Sequence, residues 1–509
     1  MLRRTCLLSV DIGTESARAA LLTPDGQVVA SSSQEYALNC PHPGWAEQDP
    51  ESWWGATVYN IRTILERAPD VDVVAVGIGG QMHAPVPIDL EGRLVFRAIP
   101  LWCDKRTEPQ CQAARVILDE EESLRITGNP IVASWTGFKF KWIKENHPEV
   151  YVRTVKFLSC KDYLNLRLTG QCFTDYSEAS GTYLFDAKCG AWSAELCSAL
   201  GIDPAKLPDI ANASDVIGTV TKEAAELTGL KAGTPVVAGG GDMMCILLGA
   251  GIVSDGMACD ITGTAADISV FTPEPLYDMR LMHLHHVAPK GGWISFGILD
   301  SGGGSYKWFK DNFCLAQVEE ARERGISPYQ VLSEGAATIP AGSEGLLFFP
   351  YLLGERTLGS SASRGVFFGF TPRHTINHCS RAIMEGVSFD LRQSLEIIEA
   401  KGVPINEVRA IGGGAKSPVW CEIKSNVYGK PVKTLANFEG GIVGASMLAG
   451  LGVGLYSSVE DAVDSLVRLE KVFPPDAELA QRYDRFYELY KSLHDSFQPY
   501  YRKLSELVS

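Results

Sequence analysis

Short apolar runs alternate with amphipathic stretches along most of the chain. Residues 7–10 and 17–22 are two apolar runs on either side of a turn, and the turn at 23–26 leads into a further run at 27–33. These segments predict strands joined by hairpin turns. Residues 71–78 are apolar and β-branched, which is typical of a parallel strand that is buried on both faces. The N-terminal region therefore predicts an open sheet.

Helical spacing follows these strands and continues to the end of the chain. Apolar residues recur with the period of a helix in five segments: 50–66, 107–117, 380–400, 420–428 and the long stretch 476–507. A further strand at 408–411 comes directly before three consecutive glycines. Strands that alternate with helices in this way predict an α/β protein with mixed sheets.

One stretch of sequence has an echo in the second half of the chain. Residues 11–24 begin Asp-Ile-Gly-Thr and end Thr-Pro, and residues 260–273 begin Asp-Ile-Thr-Gly-Thr and end Thr-Pro. A chance likeness of two hairpins is one explanation. The other is a chain of two similar halves, which predicts domains at 1–253 and 254–509 with a ligand in the cleft between them.

Composition narrows the class of protein. The 509 residues include 45% hydrophobic and 21% charged residues, as is usual for a globular protein, and 46 basic against 61 acidic residues give a net charge of −15. So negative a surface repels nucleic acid and anionic lipid, and neither is expected as a partner. The 13 cysteines contain no Cys-x-x-Cys pair, which favours free thiols in a reducing cytoplasm. The uncharged run 440–458 holds six glycines, so we expect a tightly packed helix there and not a membrane span.

The first Gly-Thr turn has the chemistry of a phosphate-binding loop. Gly13 allows close approach to the backbone, Thr14 and Ser16 add hydroxyl donors, and Arg18 could reach a phosphate oxygen. Asp11 ends a buried strand and is a candidate to hold Mg²⁺ through water, because hard cations prefer carboxylate oxygens. The alternative is a hairpin that needs a glycine only for its turn.

Two further glycine clusters follow predicted strands. The first, at residues 239–241, precedes Asp242, which could act as a general base or could simply cap a helix that starts at Met243. The second, at 412–417, stands where nucleotides dock in open α/β sheets. This second cluster has neither the Gly-x-Gly-x-x-Gly spacing of dinucleotide-binding loops nor a Walker motif.

Candidate sugar-binding residues lie on two turns. Gln81, Met82 and His83 follow the strand predicted at 71–78, and Trp102 with Asp104 combines an aromatic face with a carboxylate. The three histidines His283, His285 and His286 are read as structural, because alternate residues of a strand face opposite sides and no acid or cysteine stands at ligand spacing.

Several longer motifs resemble one family. Residues 134–146 and 365–385 are similar to the two signatures of the FGGY carbohydrate kinases, with departures at Phe370 and Cys379, and residues 44–54 are also similar to that family. The likeness extends from about residue 7 to 455 and is greatest to the xylulokinase-like members. It implies two actin-like (ribonuclease H-like) domains, each a mixed β-sheet flanked by helices, with an interdomain cleft.

The resemblance also implies ATP-dependent phosphorylation of a sugar hydroxyl, with Mg²⁺. The positions that match the family's motifs imply roles for individual residues of this chain. Asp242 is similar to the family's general base and Asp11 to its Mg²⁺-linked carboxylate. The residues expected at the nucleotide are Gly13, Thr14, Glu15, Ser16, Arg18, Gly263, Thr264, Gly303, Lys307, Gly413, Gly414 and Ser417. Those expected at the sugar are Gln81, Met82, His83, Trp102, Asp104, Asp242 and Met243.

The identity of the sugar stays open at this point. Xylulokinases often have Asn after the catalytic Asp, whereas this chain has Met243, so D-xylulose is the first expectation and another pentulose or a polyol the alternative. A nucleotide-driven conformational switch and a catalytically inactive sugar sensor are the rival functions. A homodimer is an expectation from the family alone.

Overall fold

Two seven-stranded sheets organise the protein, each with helices on both faces. The computed structural model describes residues 3–288, 291–356, 358–436 and 439–508. In the first half of the chain the strands are β1 Arg4–Ile12, β2 Ser16–Leu22, β3 Val28–Glu35, β4 Glu47–Gln48, β5 Val71–Gly80, β6 Val86–Ile88, β7 Ile99–Pro100, β8 Lys156–Leu158, β9 Phe173–Asp175, β10 Phe185–Asp186, β11 Ala191–Trp192, β12 Asp209–Ala211, β13 Val216–Thr219, β14 Pro235–Val237 and β15 Gly240–Gly241. The helices of this half are α1 Pro50–Arg67, α2 Glu108–Ile117, α3 Glu120–Thr127, α4 Thr136–Asn146, α5 Pro148–Arg153, α6 Cys160–Thr169, α7 Tyr176–Ser180, α8 Ala194–Leu200, α9 Lys222–Thr228 and α10 Asp242–Gly249.

The second half has fewer strands and longer helices. Its strands are β16 Gly256–Thr262, β17 Ala266–Thr272, β18 Met282–His285, β19 Trp293–Leu299, β20 Leu347–Phe349, β21 Val366–Phe368, β22 Ile405–Gly412, β23 Val432–Leu435 and β24 Leu469–Phe473. Its helices are α11 Gly302–Phe313, α12 Leu315–Arg324, α13 Pro328–Ala337, α14 Ile376–Ala400, α15 Pro418–Tyr428, α16 Gly440–Gly452, α17 Val459–Leu466 and α18 Ala477–Val508.

The predicted strands and helices are confirmed, with shifts of a few residues at their ends. The strand expected at 27–33 is β3, the helix expected at 380–400 starts four residues earlier as α14, and the terminal helix is α18. One glycine cluster differs from the expectation, because Gly240 and Gly241 form a short strand beside β5. All 13 cysteines are free, as expected.

The two sheets have the same strand order and directions. In the first sheet β1 pairs antiparallel with β2 and parallel with β5, and β2 pairs antiparallel with β3. In the second sheet β16 pairs antiparallel with β17 and parallel with β22, and β17 pairs antiparallel with β19. The shared topology supports the reading of the sequence echo as a duplication, and the fold is the α/β pair of actin-like domains.

Two helices from the second half of the chain pack on the first sheet. α16 lies across β1 and β5 and alongside α10. α17 follows α16 and reaches the turn after β2. There Leu466 Cδ2 lies so close that a Cβ added to Gly26 would be 3.0 Å from it. Small residues are needed at the α10–α16 contact, because a Cβ on Gly444 would lie 1.9 Å from the carbonyl oxygen of Cys245. The uncharged run at 440–458 is therefore a tightly packed helix, as expected, and it ends at Gly452.

Among the described residues, no helix is both long enough and apolar enough to cross a membrane. The long helices are instead amphipathic and pack on neighbours through one face. α18, for example, buries Tyr483, Tyr487 and Tyr490 against the second domain, where Phe389 of α14 meets all three rings.

Candidate active site

The carboxyl ends of neighbouring strands bring the predicted residues of the first domain together. β1 and β5 end side by side, and β15 ends at Gly241 beside Gly80. The turn at Gly13, the segment that starts at Gln81 and the helix that starts at Asp242 all leave the sheet at this edge. Ligands of open α/β sheets bind at such edges.

Asp11 has a carboxylate oxygen available to a ligand. It is half-buried near the end of β1, and its Oδ1 has no hydrogen-bond partner among the described residues. A Cβ on Gly441, at the start of α16, would lie 2.8 Å from Asp11 Oδ2, so glycine leaves the carboxylate its space. Burial raises the pKa of Asp11 to about 6, although the positive charge of Arg18 acts in the opposite direction.

Arg18 lies across from Asp11 in the β1–β2 pair. Its guanidinium is half-exposed and 3.7 Å from a carboxylate oxygen of Glu439, next to the start of α16. The predicted phosphate contact is therefore on the same edge as Asp11, and its present ion pair is a weak, solvent-screened one.

The first Gly-Thr turn is tied to the strand beside it. Gly13 N–H donates to the carbonyl of Ser16 at 3.0 Å, which closes the turn. Tyr36, directly after β3, donates its backbone N–H to the carbonyl of Glu15 at 3.1 Å and its hydroxyl to the carbonyl of Gly13. The side chain of Glu15 itself is exposed. These bonds hold the turn in one conformation before any ligand arrives.

A hydrogen-bond network joins this turn to the expected sugar-binding residues. Trp102 Nε1 donates to Thr14 Oγ1 at 3.0 Å, and Gln48 Nε2 donates to the carbonyl of Thr14 at 2.7 Å. Gln48 Oε1 accepts from Gln81 Nε2 and from Trp53 Nε1, each at 2.9 Å. Gln48 was not singled out from the sequence, although it lies in the family-like segment 44–54.

Asp242 is the first residue of α10, and its carboxylate is half-buried. Oδ1 accepts the backbone N–H of Met243 at 2.7 Å, but Gly241 occupies the N-cap position and Asp242 is already helical, so the alternative that Asp242 caps a helix starting at Met243 is wrong. Burial and, to a smaller extent, the nearby negative charge of Asp11 raise the pKa of Asp242 to about 7. A carboxylate with this pKa is suited to accept a proton near neutral pH.

Met82 packs against Gly241, the residue before Asp242, and His83 packs against Gly181 and Trp135. Met82 is buried, and its Sδ would be 2.6 Å from a Cβ on Gly241. His83 has a left-handed backbone (φ 65°), its Nδ1 is 3.0 Å from the carbonyl of Gly181, and its ring meets Trp135 edge-on. Burial lowers the pKa of His83 to about 3, so its imidazole is neutral.

Asp104 has a structural role that differs from the expectation. It is 1% exposed, and its Oδ2 accepts from Ala46 N–H and from Arg106 Nη2. Its Oδ1 accepts from the N–H and Nε of the same arginine, which also pairs with Glu47 at 2.9 Å. Both oxygens are used inside the fold, so Asp104 orders the loop that carries Trp102 and has no oxygen left for a sugar.

Three glycine segments touch one another at the matching edge of the second sheet. Gly263 and Thr264 form an exposed turn after β16. A Cβ on Gly303 would lie 2.2 Å from the carbonyl oxygen of Gly263, and a Cβ on Gly414 would lie 2.7 Å from the Cβ of Thr262. The predicted nucleotide-binding glycines therefore share one surface, and a side chain on Gly303 or Gly414 would push the segments apart.

The remaining predicted nucleotide residues flank this surface. Gly413 is exposed, and a Cβ there would lie 3.7 Å from the carbonyl oxygen of Thr262. Lys307 lies one turn after Gly303 on α11, is exposed, and pairs with Asp311 at 2.6 Å. Ser417 caps α15 by accepting the N–H of Trp420 at 3.2 Å, so its hydroxyl already serves the fold.

Asp260, the echo of Asp11, has a different environment. In the first domain the last residue pair before the turn is Ile12 with Ala17, and in the second it is Thr262 with Ala266. Ile12 and Thr262 therefore occupy equivalent places. One residue earlier, Asp11 corresponds in space to Ile261 and not to Asp260. Because alternate residues of a strand face opposite sides, Asp260 faces away from the cleft. There it accepts from Lys424 Nζ at 2.6 Å and from the hydroxyl of Tyr428 at 2.7 Å.

Two basic residues near the site were not singled out from the sequence. Lys139 is fully buried, and its Nζ donates to the carbonyls of His83 and Leu101, which ties together the two loops that are expected to bind the sugar. Its position within the family-like segment 134–146 was the available signal. Arg356, from the second half of the chain, pairs with Asp300, and its positive charge contributes to lowering the pKa of His83.

The three histidines lie where the two halves of the chain meet. The backbone of His283 exchanges hydrogen bonds with the amide of Asn129 at 2.7 and 2.8 Å, and His285 N–H donates to Ser180 Oγ. Burial lowers the pKa of His283 to about 4 and that of His286 to about 3. Neutral, buried rings of this kind are consistent with the structural interpretation.

Comparison with known proteins adds to this geometry. Residues 6–249 match the N-terminal domain, and residues 261–453 the C-terminal domain, of the FGGY family of carbohydrate kinases. The chain is 33% identical over 497 residues to a xylulose kinase of Bacillus subtilis (96% of each chain) and 28% identical over 501 residues to a gluconokinase of Bacillus licheniformis (98% of this chain, 97% of the relative). The crystal structure of a xylulose kinase from Rhodospirillum rubrum is similar with a TM-score of 0.89 and 31% identity, covering 98% of this chain and all of that one.

Proposed function

Because the chain belongs to the FGGY family of carbohydrate kinases and is an ATP-dependent sugar kinase, we propose that its acceptor is a ketopentose, D-xylulose, phosphorylated to D-xylulose 5-phosphate. The observation that carries the proposal is the half-buried Asp242, set beside Met82 and near Asp11. The named similarity to xylulose kinases supports the choice of sugar. The roles of individual residues below are part of the proposal.

Asp242 acts as the general base of this reaction. Its carboxylate orients the terminal hydroxyl of the sugar and accepts its proton as the oxygen attacks the γ-phosphorus of ATP. The pKa of about 7 suits this task, since a base is most effective when its pKa lies near the working pH. Phosphoryl transfer otherwise depends on positioning and charge neutralisation.

Asp11 fits a site for Mg²⁺. Its buried Oδ1 lacks a hydrogen-bond partner among the described residues, and carboxylate oxygens are the ligands that Mg²⁺ prefers. When bound, Mg²⁺ supplies neutralisation of the phosphate charges. Gly13, Thr14 and Arg18 bind the phosphates from the first domain, while Gly263, Thr264 and the glycines they touch bind the nucleotide from the second. The single domain boundary expected at 253/254 needs a correction, because α16 and α17 pack on the first sheet; we assign residues 1–253 and 439–466 to the first domain and the rest of the chain to the second.

The sugar site favours a neutral substrate over a sugar acid. His83 is uncharged at neutral pH, Lys139 is occupied by two carbonyls, and Arg356 is paired with Asp300. A carboxylate such as that of gluconate would thus meet no unengaged cation among these three. Met243, in place of the usual asparagine, presents an apolar side chain, and so ribulose, xylitol and the glycerol class remain the alternative acceptors.

The substrate proposal is tested by ADP release with a panel of pentuloses, hexuloses, polyols and gluconate. We expect D-xylulose to give the highest kcat/KM and gluconate to be a poor acceptor. A higher kcat/KM with another pentulose or a polyol would replace the sugar but keep the site. ATP turnover that no acceptor stimulates would reject the assignment of a ketopentose kinase.

The role of Asp242 is tested by Asp242→Ala. Removal of a general base lowers turnover by about 10²–10⁴-fold, while ATP affinity, carried by other residues, stays nearly unchanged. Asp89→Ala, in the loop between β6 and β7, is the matched control: within the described part of the chain this half-buried carboxylate bonds only to Glu91 and Arg93 of its own loop, and turnover should stay normal. A near-normal kcat in Asp242→Ala would refute the assignment.

A further inference from the structure

A buried group of ionisable side chains lies behind Asp242 and has no role in the reaction described above. Lys161 of α6, Asp162, Asp175 at the end of β9 and Glu178 of α7 are each at most 3% exposed. We call these four residues the Lys161 cluster. Burial raises the pKa of Glu178 well above its usual range, which favours the protonated form of this carboxyl.

One ion pair and a series of hydrogen bonds lead from this cluster to the residue before Asp242. Lys161 Nζ lies 2.5 Å from Asp162 Oδ1 and 3.0 Å from Asp175 Oδ1. The other oxygen of Asp175 accepts the backbone N–H of Ser177 at 2.8 Å and its hydroxyl at 2.6 Å. Ser177 Oγ in turn accepts the N–H of Gly241 at 2.9 Å.

Each bond in this series sets the direction of the next. A serine hydroxyl has one proton, and Asp175 takes it, so the lone pairs of Ser177 Oγ are left for Gly241 N–H. Asp175 cannot turn away, because its other oxygen is paired with a lysine that is itself fully buried. A charged acceptor makes the hydroxyl bond stronger than one between neutral groups.

Gly241 is also confined on its other sides. It pairs with Gly80 in β5, and a Cβ on Gly80 would lie 3.1 Å from the Cβ of Lys161. A Cβ on Gly241 itself would lie 2.6 Å from Met82 Sδ. The segment that precedes Asp242 thus fits between the Lys161 cluster and the expected sugar-binding residues.

We propose that Ser177 is a positioning residue for the general base: with Asp175 and Lys161 it holds Gly241, and thereby the first turn of α10, where Asp242 reaches the sugar hydroxyl. This inference rests on the proposed function for its catalytic meaning. Ser177 itself touches neither sugar nor nucleotide. Its removal takes away an anchor but no charge, so the effect falls on the geometry of Asp242.

Ser177→Ala tests the proposal, measured by sugar-dependent ADP release. Misplacement of a reacting group by about 1 Å can cost about 10²-fold in rate, so we expect kcat to fall about 10- to 100-fold. The KM values for ATP and sugar should stay within about twofold, because the binding residues are unchanged. Ser177→Cys, which keeps the size of the side chain but accepts hydrogen bonds weakly, should lose less.

Ser425→Ala is the matched control. Ser425 is equally buried, and its hydroxyl lies within hydrogen-bond distance of two carbonyls of the second domain, those of Phe473 at 2.7 Å and Lys430 at 3.0 Å. Its loss removes a buried hydroxyl of the same kind without touching Gly241, and so kcat should be unchanged. Equal losses of kcat in the two alanine variants, or wild-type kcat in both Ser177 variants, would overturn the proposal.

Hydrogen exchange separates this inference from the proposed function. The peptide that covers residues 238–246 should exchange faster in Ser177→Ala than in the wild type and in Ser425→Ala, because the Gly241 amide loses its acceptor. Unchanged exchange would refute the anchoring role of Ser177. If the wild type releases no ADP in response to sugars, the proposed function fails, and the exchange measurement still decides whether Ser177 orders this segment.

Discussion

At the scale of the residue, the use of each carboxylate is decided by the partners it already has. Among the residues that the structure describes, one oxygen of Asp11 has no partner, whereas Asp260 is paired with a lysine and a tyrosine and Asp104 with an arginine. Residue type alone does not separate these three acids. Their hydrogen-bond and ion-pair partners do, because the carboxylates of Asp260 and Asp104 are already bound within the protein.

Asp242→Asn should stabilise the protein at alkaline pH while it abolishes turnover. The folded-state pKa of about 7 lies above the ordinary value of 3.8, so the charged form costs stability that grows as pH rises from 4 to 7. By this linkage the gain at pH 8 is about 2–4 kcal/mol, and it shrinks towards pH 4. Thermal midpoints of variant and wild type at pH 5 and pH 8 measure the difference.

Asp461→Asn should change the thermal stability at pH 8 in the opposite direction to Asp242→Asn. Hydrogen bonds from Ser457 lower the pKa of Asp461, so its charged form is favoured in the folded state. This substitution should lower the thermal midpoint slightly at pH 8. A stabilisation of Asp242→Asn that does not depend on pH would contradict the linkage argument.

Gly441→Ala should impair catalysis with little effect on folding. The new methyl group would lie 2.8 Å from Asp11 Oδ2, so it displaces the carboxylate or whatever binds to it. We expect kcat to fall about tenfold or more, with a higher requirement for Mg²⁺ in a titration of activity. Gly55→Ala, whose Cβ meets nothing within 4 Å, is the control, and equal activities of the two variants would contradict this role of Gly441.

At the scale of the element, one pair of helices joins the two halves of the chain. α10 ends the first half, α16 comes from the second, and they approach so closely that glycines are required at the contact. The helix that begins with Asp242 is thereby supported along its length. Packing of this kind transmits small displacements, because protein interiors have few voids.

Gly444→Ala should destabilise the protein strongly. A Cβ there would lie 1.9 Å from a backbone oxygen of α10, and backbone cannot move aside as a flexible side chain can. Overpacking of this severity costs about 1–3 kcal/mol or more, so the urea midpoint should fall. Gly452→Ala, near the end of the same helix, would meet Val237 and Ser214 O at 2.5 Å and should be less harmful, because one of its two contacts is a side chain.

Elements were easier to predict than contacts. The strands and helices follow periodic patterns, and the glycine segments stand at strand ends that the sequence itself marks. The role of Asp104 could not be predicted, because its pairing with the N–H of Ala46 joins residues 58 positions apart. Arg356 was missed for the same reason, as it approaches His83 only when the two halves of the chain come together.

At the scale of the whole molecule, two domains with the same sheet topology have different side chains at the matching edges of their sheets. The duplicated turns differ by one residue in length, and the offset turns the acid of the second domain away from the cleft. The first domain has Asp11 and Asp242 at its edge, whereas the second has the joined glycine segments together with Asp267, whose pKa burial raises to about 7. Under the proposed function, the first domain carries the chemistry and the second holds the nucleotide.

Gly303→Ala should separate these two tasks. The methyl group would lie 2.2 Å from the carbonyl of Gly263 and push two nucleotide segments apart. We expect the KM for ATP to rise about tenfold or more while the affinity for sugar, measured by intrinsic tryptophan fluorescence without nucleotide, is unchanged. Gly55→Ala, at an exposed helical position whose Cβ would meet none of the described residues within 4 Å, is the control for ATP binding. An equal loss of sugar affinity in Gly303→Ala would contradict the division of tasks.

The packing of α16 and α17 on the first sheet also limits how the molecule can move. The chain passes from one domain to the other three times: before β16, before α16 and before β24. A rotation that opens the cleft must bend the backbone at all three crossings at once, which confines the rotation axis to their neighbourhood. A fragment cut at residue 253 would lose the two helices that cover one face of its sheet, and a synthetic peptide spanning residues 439–466 is the piece that would be needed to complete it.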